Sequence, residues 1–214
     1  MKTDLNRLDV FYASYVKDHP NGGGWPNTQV AFDVYKASTM SDLIDWNSLE
    51  TITDVGCGVG NLLKFVRGEY NYQKQYLGIE AVDFFYNSAV RSFESDPLSE
   101  FIHDDFLNIG TGALKKTDWV FCIGTLSTMQ DNKVDYDKIF LKGLREIARK
   151  GITIYINDDR YMSQERLKQL PELVAHNVDS FLKLISASFE YKDLEIIRFP
   201  NTDLTSCAVT ILLS

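Results

Sequence analysis

Three glycines lie two residues apart in the run Asp54-Val55-Gly56-Cys57-Gly58-Val59-Gly60-Asn61. Glycine reaches positive φ without a steric penalty and has no side chain to hold off an approaching ligand. Such a loop either turns the chain or brings the backbone against a bound molecule. Its setting favours the second use. Thr51 to Val55 reads as a short strand, and Leu62, Leu63, Phe65 and Val66 recur at helical spacing. In open α/β sheets ligands bind beyond the carboxyl ends of the strands, where a strand hands over to a helix. A dinucleotide site would want G-x-G-x-x-G, but position 61 is Asn, and no Lys-Ser/Thr pair follows as a phosphate loop requires. The pattern suits a nucleoside ligand without phosphates.

Further candidates stand at the ends of the next apolar runs. Glu80, followed by Ala81, closes Tyr76-Leu77-Gly78-Ile79. A carboxylate there can accept hydrogen bonds from both hydroxyls of a ribose; the alternative is a solvated surface acid. His103-Asp104-Asp105-Phe106 ends a third run. Asp105, ahead of Asp104, can accept from an adenine amino group while Phe106 supplies an apolar contact, and His103 reads as a packed or rim residue. Trp119-Val120-Phe121-Cys122-Ile123 is the fourth run, with Asp118 at its start in a structural role.

The elements that must position these groups follow from periodicity. Asp83 can cap a helix carrying Phe85, Ala89 and Phe93 on one face. Tyr136, Ile139, Phe140, Leu144 and Ile147 form the inward face of another, which Gly151 is expected to stop. Ile152 to Ile156 is a fifth strand. Helical material from about Gln164 to Phe189 is interrupted near Pro171. Two strand-like runs close the chain, Leu194 to Phe199 and Ser206 to Leu213, with only about six residues between them. A parallel crossover needs a dozen or more, so this pair is antiparallel. The earlier alternation of strands and helices implies parallel pairing with helices on both faces. Residues 1–45 read as a helical cap within the same domain, with Leu8, Phe11, Tyr12 and Tyr15 on one helix and Val30, Val34 and Tyr35 on a second. Three glycines flanked by prolines, between His19 and Asn27, separate the two. Residues 46–214 form the ligand-binding part.

In this order the motifs resemble those of class I S-adenosylmethionine (SAM)-dependent methyltransferases. Asp54 to Gly60 is similar to the family's first motif, Glu80 to its ribose acid, Asp105-Phe106 to its adenine contact, and Asp118 to Leu126 to its fourth motif. The resemblance covers about residues 50–157 motif by motif and extends through the terminal hairpin in topology. It implies an α/β fold, a seven-stranded mostly parallel doubly wound sheet of order 3-2-1-4-5-7-6 with its last strand antiparallel. The cofactor it implies is SAM, leaving as S-adenosylhomocysteine (SAH). The residues it implies for that cofactor are Asp54, Gly56, Cys57, Gly58, Gly60, Asn61, Glu80, Ala81, Asp105, Phe106, Cys122 and Ile123. The last two would lie by the methionine part and the transferred methyl.

The family does not fix a base, so candidates come from position. Asp158 and Tyr12 are the first choices for catalysis, with Asp159, Tyr161, Tyr15 and Trp25 for substrate contact. The first and its neighbours follow the fifth strand, where a helix-capping or loop acid is the plainer alternative. The aromatics belong to the cap, where they either pack against the sheet or close over the ligand as a lid hinged at the glycines. Aromatic rings near a sulfonium could add cation–π attraction. No metal-ligand set is visible, and Cys57, Cys122 and Cys207 form no cluster. A sparse, odd count of cysteines suits a reducing cytoplasm. The net charge of −8 disfavours a nucleic-acid substrate. No apolar run approaches the roughly 20 residues that span a bilayer. The fourth motif also lacks the Asn/Asp-Pro-Pro-Tyr/Phe of many base and amide N-methyltransferases. A small-molecule acceptor is therefore expected, with two alternatives: a protein, peptide or RNA substrate, or a SAM-binding protein without transferase activity.

Overall fold

The computed structural model describes residues 5–19, 23–128, 130–162, 165, 168, 170, 172–200 and 205–214. Seven strands form one sheet: β1 (Thr51–Val55), β2 (Gln75–Glu80), β3 (Ser99–His103), β4 (Thr117–Ile123), β5 (Ala148–Asn157), β6 (Asp193–Pro200) and β7 (Thr205–Leu212). Their spatial order is β3-β2-β1-β4-β5-β7-β6. Neighbours from β3 to β5 pair in parallel, and β7 runs antiparallel to both β5 and β6. The terminal hairpin and the parallel remainder thus stand as the sequence predicts.

Side chains alternate across the central strands because successive residues of a strand face opposite sides. From β4 and β5, Val120, Cys122, Ile152, Ile154 and Ile156 enter one core layer. Trp119, Phe121, Ile123 and Tyr155 enter the other. The first layer is covered by α6 (Lys133–Ile147) and α7 (Val178–Ser188), with Phe106 from the short α5 (Phe106–Ile109). The second is covered by α2 (Thr28–Thr39) and α3 (Asn61–Glu69). Helix α4 (Asp83–Ser92) lies along β2 and β3 and is followed by Phe93, whose ring meets Phe101. Helix α1 (Leu5–Asp18) joins a small separate cluster in which Leu8 packs with Val82 and Phe85.

Two local expectations need correction. Gly151 does not stop α6; the helix ends at Ile147 and β5 begins at once. A Cβ on Gly151 would come within 2.2 Å of the Trp119 indole, so glycine is required in β5 to seat that ring. Asp83 is the first residue of α4 rather than its cap, which is Val82. It still favours the helix as an acid in the first turn. The helical material expected from about Gln164 to Phe189 is helical at Glu165 and Lys168 and over Val178–Ser188, the latter capped by the Asn177 side chain on the Ser180 amide; Gln164 and Pro171 lie outside the described residues. Asp118 has the structural role expected of it, since Oδ2 accepts from the amides of Glu50 and Thr51 at 2.8 and 3.3 Å and ties the start of β1 to β4. No helix among the described residues is long and apolar enough to cross a membrane.

Candidate functional site

The glycine run closes over the end of β1. The amides of Gly56 and Cys57 donate to the Ile79 carbonyl at 2.8 and 3.1 Å, and Gly60 donates back to Cys57 at 3.0 Å. Gly56, Gly58 and Gly60 all have positive φ, but their surroundings differ. A Cβ at Gly56 would lie 2.0 Å from Thr125 Oγ1, and one at Gly60 would lie 2.5 Å from the Phe93 ring. At Gly58 the nearest atom is the Gly23 carbonyl at 3.5 Å. Gly56 and Gly60 are thus closely packed on their Cβ side, whereas Gly58 is open there; Gly56 and Gly58 both border a cavity.

Glu80 forms the floor beside Gly58. Its carboxylate accepts from the Gly58 amide at 2.7 Å and from the Val82 amide at 2.8 Å. Burial raises its pKa, while the amides of Val82, Gly58 and Ala81 and the His103 ring oppose that rise. A carboxylate has about four lone-pair sites, so two amide bonds leave acceptor capacity toward the cavity. At the end of β3, Asp105 caps α5 by accepting from the Leu107 amide at 3.1 Å, and Asp104 accepts from the Asp105 amide at 2.7 Å. Phe106 packs on Phe140 with ring centroids 5.0 Å apart.

Gly56, Cys57, Gly58, Glu80, Ala81, Asp105, Phe106 and Ile123 all line one cavity. Asp54, Gly60, Asn61 and Cys122 do not. Asp54 lies buried beneath the loop and accepts from the Tyr76 hydroxyl at 2.9 Å. Burial pushes its pKa up to about 7, with Glu80 adding to the rise and the Tyr76 bond opposing it. The Asn61 side chain abuts Gly23. Cys122 of β4 is fully buried in the core, its thiol pushed up to about 12 chiefly by burial.

The cap supplies the opposite wall. Tyr12, Tyr15, Gly23, Gly24, Trp25 and Pro26 all line the cavity. Tyr12 meets Phe85 edge-on at 5.0 Å, and the indole N–H of Trp25 donates to the Tyr35 hydroxyl at 3.1 Å. Burial, then the charge of Glu80, pushes the Tyr12 phenol above its ordinary pKa. Among the described residues, α1 and residues 23–26 supply most of this wall, and α2 adds Tyr35. In α2, Val30, Val34 and Tyr35 are core residues under the sheet.

Asp158, Asp159 and Tyr161 lie outside the cavity lining, and Asn157 is the residue that β5 contributes to it. The Asp158 carboxylate is buried and held by Arg160, with Nε at 3.0 Å from one oxygen and Nη2 at 2.7 Å from the other. Burial alone would raise its pKa, but the Arg160 hydrogen bonds and the Arg160 and Arg198 charges outweigh it and hold the carboxyl low. That pairing suits a loop brace rather than a proton acceptor. Tyr161 is exposed beside the Arg160 guanidinium. The sequence reading missed Thr125, Ser127, Thr128, Tyr136, Leu170 and Leu173, which also line the cavity. Only the place of Thr125 just after the fourth strand could have signalled one of them.

No family model matches the chain, and no curated protein matches its sequence. Solved structures do match. Magnesium protoporphyrin IX methyltransferase (ChlM) from Synechocystis PCC 6803 with bound SAH aligns at 15% identity and TM-score 0.61, covering 100% of this chain and 90% of that one. The plantazolicin methyltransferase BpumL in complex with SAH aligns at 14% and 0.65, covering 99% and 92%. The N-terminal domain of EvdMO1, in the presence of SAH and D-fucose, aligns at 12% and 0.64, covering 99% and 98%. The fold is that of class I SAM-dependent methyltransferases. In such a sheet the strand order reverses between β1 and β4, and ligands of open α/β sheets bind in the crevice at that point. The cavity lies there, between the Gly56–Gly58 turn and Gly124.

Proposed function

We propose that the chain is a SAM-dependent methyltransferase acting on a small molecule. The observation that carries this is the cavity at the switch point, with Gly58 open to it and Glu80 in its floor. Gly56 and Gly58 would carry the backbone against the ligand, Glu80 would accept from the ribose hydroxyls, and Asp105 with Phe106 would hold the adenine. SAM would supply a methyl group activated by its sulfonium. The protein's part is then to align the acceptor and keep water away. The cap residues Tyr12, Tyr15 and Trp25 would act as a lid, which favours a small acceptor over a polymer. It is consistent with ChlM and BpumL, structural neighbours named as methyltransferases of magnesium protoporphyrin IX and plantazolicin.

Asp158, paired with Arg160 outside the cavity lining, is poorly placed to take a proton from an acceptor. Among the described lining residues, the carboxylates Glu80, Asp104 and Asp105 stand at the ends of β2 and β3, the adenosine end. The phenols of Tyr12 and Tyr35 are both pushed up, mainly by burial, and stay neutral near pH 7. This arrangement favours an acceptor that arrives already nucleophilic. Calorimetric titration with SAM, SAH and NAD tests the reading. Binding of the first two without NAD is expected; binding of neither SAM compound would overturn it.

A further inference from the structure

Asn157 ends β5 at the cavity, and its side-chain amide is only half used. Nδ2 donates to the Val174 carbonyl at 3.2 Å. That partner settles which end of the amide is which, because a carbonyl can only accept. The other end is the oxygen, and Oδ1 accepts from none of the described residues. Asn157 is buried, yet Oδ1 is not sealed off, so it faces the cavity that the residue lines. Ser127 stands beside it. Its Oγ accepts from the Asn157 backbone amide at 3.1 Å, and its hydroxyl hydrogen has no acceptor among the described residues. The neighbouring hydroxyl hydrogens are spent: Thr125 Oγ1 donates to the Val55 carbonyl at 2.9 Å, and Thr128 Oγ1 to the Thr125 carbonyl at 2.8 Å. Both residues are held in place, since the Val174 amide donates to the Ser127 carbonyl and the His176 amide to the Asn157 carbonyl, each at 2.8 Å.

A ligand with its base at Asp105 and ribose at Glu80 carries its 5′ substituent past Gly56 toward Thr125, and β5 lies beyond β4 on that side. We infer that Asn157 and Ser127 form the acceptor subsite. It takes an uncharged molecule that presents an N–H or O–H to Asn157 Oδ1 and an acceptor atom to the Ser127 hydroxyl. This deepens the proposed methyltransferase reading and rests on it. Leu170 and Leu173, the latter bridged to Thr128, give the subsite an apolar wall. The charged lining residues, Glu80, Asp104 and Asp105, stand at the adenosine end. An ammonium group here would be desolvated without a carboxylate, and a carboxylate would meet Oδ1 without a cation. A ligand lacking the N–H or O–H would leave Oδ1 buried and unpaired, which is the basis on which such sites reject it.

The test titrates small probes into the SAH-saturated chain and reads dissociation constants by ligand-observed NMR. Benzamide carries both groups without charge. N,N-dimethylbenzamide keeps the oxygen but has no N–H, benzoate is an anion and benzylammonium a cation. Benzamide should bind more tightly than each of the others by about 5- to 150-fold. It should also move the side-chain amide nitrogen resonance of Asn157, because a donor on Oδ1 polarises the whole amide. Asn157→Asp should turn the preference toward benzylammonium, a reversal that a purely structural Asn157 would not give. Should that variant not fold, the wild-type comparison decides alone. Benzamide that fails to bind, binds no better than the dimethylated or a charged probe, or leaves the Asn157 resonance unmoved overturns the proposal. Failure of SAH itself to bind would instead overturn the cofactor reading, and the acceptor subsite with it.

Discussion

Gly56 and Gly58 share a left-handed backbone but not a neighbourhood, and they should answer differently to a side chain. At either position a non-glycine residue costs about 1–2 kcal/mol in backbone strain. Gly56→Ala adds a collision with Thr125 Oγ1, which is itself tied to the Val55 carbonyl at 2.9 Å. Overpacking of this kind adds about 1–3 kcal/mol. We expect Gly56→Ala to lower unfolding free energy by roughly 2–5 kcal/mol, measured by denaturant titration. Gly58→Val meets little protein, so its loss should stay near the strain alone while SAM and SAH binding is abolished. A folded Gly58→Val chain with wild-type affinity would remove the loop from the site. The two residues are indistinguishable in the sequence, because the difference lies in Thr125, which reaches the loop from a distant segment.

Among the elements, strands and helices with strong periodicity were legible. The apolar runs of β4 and β5, the short link before β7 and the spacing in α6 were each readable from local pattern. What was not legible depended on tertiary neighbours. Gly151 has the local look of a helix stop, and only the Trp119 indole across the sheet shows why β5 needs it. The cap divides between two jobs that sequence alone could not separate: α2 is mainly core, reaching the cavity through Tyr35, while α1 and residues 23–26 wall the cavity. If that wall is a lid, ligand release requires it to open, and bound ligand suppresses the opening. At ligand concentrations near a hundred times Kd the stabilisation is about 2.7 kcal/mol, so amide exchange through that opening should slow about a hundredfold. Hydrogen exchange with and without SAH should show protection of α1 and residues 23–27, with the edge strand β6 unaffected. Protection confined to the Gly56–Gly60 turn would mean that the cap is fixed packing and not a lid.

At the scale of the molecule, the site is assembled from the carboxyl ends of five strands, and a charge buried beneath it is coupled to folding. The sequence marked Asp54 as a cofactor residue because it stands in the motif; burial and Tyr76, invisible to local pattern, put it under the loop instead. Its pKa is raised from 3.8 to about 7, mainly by burial, so the folded chain holds the proton more tightly than the unfolded chain. Below about pH 4 both states are protonated and the full stabilisation is present. Between about 4 and 7 unfolding releases the proton, and stability falls as pH rises, by at most about 1.4 kcal/mol per pH unit. Above 7 both states are charged and the loss is complete. Glu80, raised in the same direction by burial, steepens the fall. Asp54→Asn abolishes the contribution of Asp54 while keeping a polar group for the Tyr76 hydroxyl. The variant should match the wild type near pH 4 and exceed it by a few kcal/mol near pH 8, as read by denaturant unfolding across that range. A difference between the two that stays constant from pH 4 to 8 would show that Asp54 titrates normally, and that its burial is relieved by water reaching the cavity floor.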